Sequence, residues 1–192
     1  MSGKADLRAV KTTLAVVGLG ALLVASACDD GETLEGEPRI EAPQEVRLEG
    51  PWADGAEIHR DFTCDGDGVS PGLSWTAVEG VEEYALMMTD PDAPDGTFVH
   101  WVVFAIPGTV TEIDEGRIPE GAKVGSTSFG DEGYGGPCPP EGDDPHRYEL
   151  TLYALERGPE DELEAGASGN DVLESIECCV SATGTLTGTY GR

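Results

Sequence analysis

Phe98-Val-His-Trp-Val-Val-Phe-Ala-Ile106 is apolar at nearly every position and on both parities. A strand with one wet face would alternate. A run that is apolar on both parities reads as a strand of a sheet covered on both sides. Upstream, Glu83-Tyr-Ala-Leu-Met-Met-Thr89 is a second apolar strand, and it runs into Asp90-Pro-Asp-Ala-Pro94. Two prolines cannot continue a ladder, so 90–96 is a loop. Downstream, Arg147 to Glu156 is a third strand, with Tyr148, Leu150, Leu152 and Ala154 on one face. Val180 to Tyr190 is Thr-rich and alternating, and reads as a closing strand. Between these lie a long Gly- and Pro-rich loop over 125–140 and one short helix over 168–177, with Ser168, Asn170 or Asp171 as its cap. Many strands, long loops and one late helix predict a mainly β antiparallel sandwich with one or two short helices.

Composition agrees and sets limits. The 192 residues suffice for one domain with a core and are too few for two ordinary ones. The 27 glycines and 13 prolines favour turn-rich β structure over a helical bundle. With 38 acids against 11 Lys plus Arg, the net charge is −27. A polyanion would be repelled, so nucleic acid is excluded as a partner and anionic lipid surfaces are disfavoured.

The first residues read as an address. Lys4, Arg8 and Lys11 form a basic start, and Thr12 to Ala27 then carries no charge over 16 residues. This is the pattern of a secretory signal and is shorter than the ~20 residues of a spanning helix. Val24-Ala25-Ser26-Ala27-Cys28 resembles a bacterial lipobox, in which the Cys becomes the lipidated N-terminus. The expectation is a lipoprotein signal peptide over 1–27, an acidic tether over 28–45 and a folded domain over 46–192. Lipidation at Cys28 would hold the protein in the cell envelope, on the extracytoplasmic side of a bacterial membrane. Asp29 resembles a retention signal for the inner membrane, facing the periplasm.

Chemistry can draw on only three histidines, His59, His100 and His146. His100 lies inside the most apolar strand, where a polar ring must find a partner or a cavity. His146 and Tyr148 share a face at i and i+2. Asp90 and Asp92 sit in the proline-stiffened loop. A metal centre lacks any HExxH or CxxC spacing to support it. A hydrolase lacks a GxSxG, and Cys138 is the one nucleophile candidate near His146. An anion pocket would use imidazole, tyrosine and backbone donors, with Gly133-Tyr-Gly-Gly-Pro-Cys-Pro-Pro140 as a loop beside them. No metal, no cofactor and no catalytic residue is expected.

Asp90-Pro-Asp-Ala-Pro94 with His100-Trp101, then Gly133 to Pro140 and Pro145-His-Arg-Tyr148, resembles the phosphatidylethanolamine-binding protein family in its bacterial Raf-kinase-inhibitor-like branch. Phe62-Thr-Cys-Asp-Gly66, Leu73-Ser-Trp75 and Leu186 to Arg192 fit the same branch. The resemblance implies a Greek-key β-sandwich with a small pocket for phosphate-like anions and phospholipid head groups. It assigns Asp90, His100, His146 and Tyr148 to that pocket, Phe98 to its flank, and Gly136, Pro137, Pro139 and Pro140 to the neighbouring loop. Arg147 should point away from the pocket and pair with Asp92. The resemblance also places Cys64 and Cys138 in loops around the pocket, which makes them the expected disulfide and leaves the neighbours Cys178 and Cys179 as a labile pair or none. Two departures stand out: Cys178-Cys179-Val180 replaces a segment that carries a His in many bacterial members, and no C-terminal helix follows Arg192, so a more open pocket is expected. The implied function is a lipid-anchored binding protein for a phosphate-bearing small molecule or head group. The alternatives are an inhibitor module acting on a kinase or protease, with no partner identified, and, third, a hydrolase.

Overall fold

The computed structural model describes residues 45–159 and 163–192. The signal, Cys28 and most of the tether lie outside the described residues. Nine strands form two sheets: β1 (Leu48–Glu49), β2 (Ala56–Glu57), β3 (Leu73–Trp75), β4 (Glu83–Asp90), β5 (Phe98–Pro107), β6 (Glu112–Ile113), β7 (Lys123–Val124), β8 (His146–Leu155) and β9 (Val180–Tyr190). The small sheet runs β1-β3-β6, and the large one β2-β9-β8-β4-β5-β7. Helix α1 (Gly169–Ile176) and two short 3-10 turns complete the described chain. The protein is thus mainly β with two sheets, as the sequence predicts. One pairing departs from the antiparallel rule: β2 runs parallel to β9.

The large sheet is covered on both faces. Tyr84, Leu86 and Met88 of β4, Trp101 and Val103 of β5, and Tyr148, Leu150 and Leu152 of β8 face the small sheet, where Leu48, Leu73, Trp75 and Ile113 meet them. On the other face, Ala85, Met87, Val102, Phe104 and Leu155 pack against Val172 and Ile176 of α1. These two helical residues are four apart, so one stripe of α1 docks on the sheet. Ser168 caps the helix by accepting a hydrogen bond from the Asp171 amide at 3.2 Å. At Gly188 a Cβ would collide with Ile58 and Trp52, so this position in β9 admits only glycine.

The register of β4 and β5 breaks twice. Met88 pairs with Trp101 while Thr89 pairs with Val99, so His100 is an extra residue opposite the ladder. Such a bulge re-aims a side chain. Simple alternation would send His100 to the α1 face with Val102 and Phe104. The bulge instead keeps it on the inner face with Trp101, while Val99 turns to the α1 side. The second break leaves Phe104 and Ala105 opposite Ala85, and Ala105 takes a φ of 52°. That residue restores Ile106 to the inner face.

Candidate functional site

Strand β4 lies between β5 and β8 and runs antiparallel to both. Its last residue, Asp90, therefore lies beside the first residues of both neighbours. Asp90 pairs with Phe98, and Thr89 pairs with Glu149. The sheet thus gathers Asp90, Phe98, His100, His146 and Tyr148 at one end, with no contact between distant loops needed.

Asp90 is buried and both carboxylate oxygens are engaged. Oδ1 accepts the Asp92 amide at 2.9 Å, a turn that the proline-stiffened loop favours. Oδ2 accepts Nδ1–H of His146 at 2.8 Å. Asp90 therefore orients the His146 ring and lines the cavity beside it.

His100 is only 3% exposed. Its ring is edged by Tyr148, with centroids 5.2 Å apart, and by Phe98 and Phe129 at 5.0 and 5.5 Å. Two bonds join it to Gly135: its Nδ1–H donates to the Gly135 carbonyl at 2.7 Å, and its own carbonyl accepts the Gly135 amide at 2.8 Å. Burial holds the His100 pKa below the usual imidazole value, against the raising effect of the Gly135 carbonyl and the Asp90 charge. Its ring is accordingly neutral at pH 7. The Tyr148 hydroxyl is buried near the Asp90 carboxylate and the Cys138 backbone, and burial, with the Asp90 charge, pushes its pKa up.

The loop over 133–140 is pinned along its length. The Tyr134 hydroxyl donates to the Phe62 carbonyl at 2.7 Å, and the Cys64 amide donates to the Pro137 carbonyl at 3.1 Å. Cys64 and Cys138 lie at disulfide distance, with Cα atoms 5.4 Å apart. A cross-link closing 74 residues contributes roughly 2–5 kcal/mol. Arg192 reaches the Pro139 carbonyl at 3.4 Å and Asp65 at 3.1 Å. Cys178 and Cys179 are also at disulfide distance, in the turn from α1 to β9. The amides of Gly133 and Gly135 are spent on Gly125 and His100, so neither is an open donor for an anion. The loop's part at the site is to hold His100.

A cavity of about 390 Å3 opens beside these groups. Of the residues that the sequence singles out, Asp90, Phe98, His100, His146, Cys138, Pro139 and Pro140 line it. Gly136, Pro137 and Tyr148 do not. Gly136 is wedged against Phe62 and Thr63, where a Cβ would not fit, and Tyr148 lies beneath the His100 ring. His59 stands apart, an exposed cap whose ring meets Asp61. The structure adds residues that the sequence reading passed over, above all Phe129. It is 52% exposed and stacks edge-on against Phe98 at 4.7 Å. An aromatic in a Gly-rich loop was the available signal. Among the described residues no cluster of three or more His, Cys, Asp or Glu could hold a metal.

Arg147 points away from the cavity and grips Asp92. Its Nε and a terminal nitrogen donate to the two carboxylate oxygens at 3.0 and 2.8 Å, and its amide adds a bond at 2.9 Å. These donors hold the Asp92 pKa down, from 3.8 to about 2. The lowered pKa means the pair stabilises the fold above pH 3.8 and loses that effect as pH falls through about 2. Asp92→Asn should therefore unfold at a lower temperature than the wild type at pH 6, with the gap closing toward pH 2. Thermal scans across that range check this, and a gap that is constant with pH would contradict it.

Comparisons with known proteins follow the same outline. The profile of the family described as phosphatidylethanolamine-binding protein matches residues 49–191. A UPF0098 protein of Methanothermobacter thermautotrophicus is 44% identical over 145 residues, covering 72% of this chain and 93% of that protein. A Mycobacterium tuberculosis protein provisionally named lipoprotein LppC is 34% identical over 196 residues, covering 94% of this chain and 96% of that one. The crystal structure of Escherichia coli YbcL, described as a member of the mammalian PEBP family, superposes with a TM-score of 0.72 at 31% identity, over 78% of this chain and 99% of that one. Among the described residues no helix is long and apolar enough to cross a membrane.

Proposed function

The chain belongs to the phosphatidylethanolamine-binding protein family, and from that premise we propose that it is a lipid-anchored, extracytoplasmic binding protein whose pocket takes phosphate-bearing ligands such as phospholipid head groups. The observation that carries this reading is the pair of buried imidazoles at the cavity wall. Each has its Nδ1 tied to a protein acceptor, which fixes the ring and leaves Nε2 to meet a ligand. The cavity volume lies in the range of small-molecule sites. The aromatic rim of Phe98 and Phe129 suits an apolar neighbour of the phosphate.

The surface charge of −27 opposes any anion, so capture rests on local groups. Affinity in the micromolar to millimolar range, about −4 to −8 kcal/mol, is the expectation. Glycerophosphoethanolamine titrated into the full-length chain should shift the ring signals of His100 and His146 in NMR. His146→Ala should weaken binding by roughly 1–3 kcal/mol, the loss of a charge-assisted hydrogen bond. Ring signals that ignore the ligand at millimolar concentration would refute the pocket assignment.

The anchor rests on the Val24 to Cys28 pattern and on the lipoprotein name of the Mycobacterium relative. In a Gram-negative host the wild-type chain should sediment with membranes and Cys28→Ala should not. Equal partition of both into the soluble fraction would remove the anchor from the proposal.

A further inference from the structure

The cavity wall poses a charge problem. Its lining includes Asp90 and Asp95 and, among the described residues, contains no Lys or Arg. The fixed charge at the wall is therefore negative, while the proposed ligand is an anion. Among the described residues, the only lining groups that can turn positive are the two imidazoles.

Their hydrogen bonds settle which nitrogen would do so. A backbone carbonyl can only accept, so His100 Nδ1 must carry a proton to reach Gly135. The Asp90 carboxylate already accepts the Asp92 amide, and its other oxygen accepts Nδ1–H of His146. In the neutral rings both Nε2 atoms are then bare lone pairs, since the Gly135 and Asp90 bonds place the ring protons on Nδ1. A phosphate oxygen placed opposite a lone pair gains no hydrogen bond. Opposite a protonated Nε2–H it gains a charge-assisted one.

We propose, resting on the reading above, that the cavity binds its phosphate-bearing ligand together with a proton, which passes from solvent to Nε2 of His100 or His146. The groups facing the two rings are Asp90, each ring's own partner imidazole, Tyr148, the backbone of Gly135 and Gly136, and Asp95 at the rim; Asp92 is held by Arg147. The anion supplies what is missing when the cavity is empty. Burial keeps His100 neutral there, and a nearby negative charge reverses that balance. The ligand class this selects is a phosphoester met at neutral to mildly acidic pH. A site built on Lys or Arg would bind the same ester with no such dependence.

The sign is fixed by linkage. A complex that holds more protons than the free protein gains affinity as pH falls, up to tenfold per pH unit for one proton. Glycerophosphoethanolamine is the probe, because its diester keeps one negative charge across the range and any proton taken up belongs to the protein. Calorimetry on the full-length chain should show affinity rising about tenfold or more from pH 8 to pH 6. At pH 7, the apparent heats in buffers of low and high ionisation enthalpy should differ by an uptake of roughly half to one proton. His100→Gln or His146→Gln should lower that number, the effective variant naming the ring that takes the proton. Should the variants fail to fold, the wild-type buffer comparison decides alone. Binding with equal affinity at both pH values and equal heats in both buffers would overturn the proton coupling while leaving the phosphate reading intact. No binding at any pH would overturn both.

Discussion

The pair of hydrogen bonds between His100 and Gly135 holds the candidate site in place. The bulge in β5 turns His100 inward, and a polar ring at 3% exposure would be costly without a partner. Gly135 supplies one through its carbonyl and ties the strand down again through its amide. A Cβ at Gly135 would meet the exposed Phe129 ring at 2.7 Å, so a side chain there would displace that ring from the cavity mouth. One contact therefore fixes the ring, its tautomer and the position of the loop that walls the cavity.

The surrounding structure braces that contact from several sides. Tyr134, the Cys64 amide and the Cys64–Cys138 pair hold the loop from below, and Arg192 holds Pro139 from the far side. The Asp90–Gly96 loop is fixed separately, by Arg147 gripping Asp92. The cavity wall is thus backbone held by hydrogen bonds and by the Cys64–Cys138 pair, and its only lining groups among the described residues that can turn positive are two imidazoles. A chain with −27 net charge gains solubility and loses long-range attraction for anions. Protonation at the wall is a local way to recover it.

Much of this was legible in the sequence, and the reasons for the rest are physical. Four long strands and the helix follow from unbroken apolar runs and from Ser168 as a cap, and their observed limits differ from the reading by a residue or so. Asp92 with Arg147 followed from parity. The strands β1, β2, β6 and β7 have two residues each, too few to show a period, and pairing with a partner sheet creates them. The bulge at His100 was hidden because β5 is apolar on both parities, so a break in alternation leaves no trace. Phe129 was missed for a related reason: its place at the mouth depends on how a long loop folds back on β5. The convergence of Asp90, His100 and His146 came from the family resemblance, and the sheet order supplies its cause.

The central claim is that His100 and His146 both carry a proton on Nδ1, and that the neutral His100 ring presents a bare Nε2. Long-range proton–nitrogen NMR of the imidazole rings reads this directly in the ligand-free protein near pH 7.5. The account predicts a protonated Nδ1 and an unprotonated Nε2 on His100, with His146 Nδ1–H bonded to Asp90. A proton on His100 Nε2 with Nδ1 bare would contradict it, because the Gly135 carbonyl would then face a lone pair.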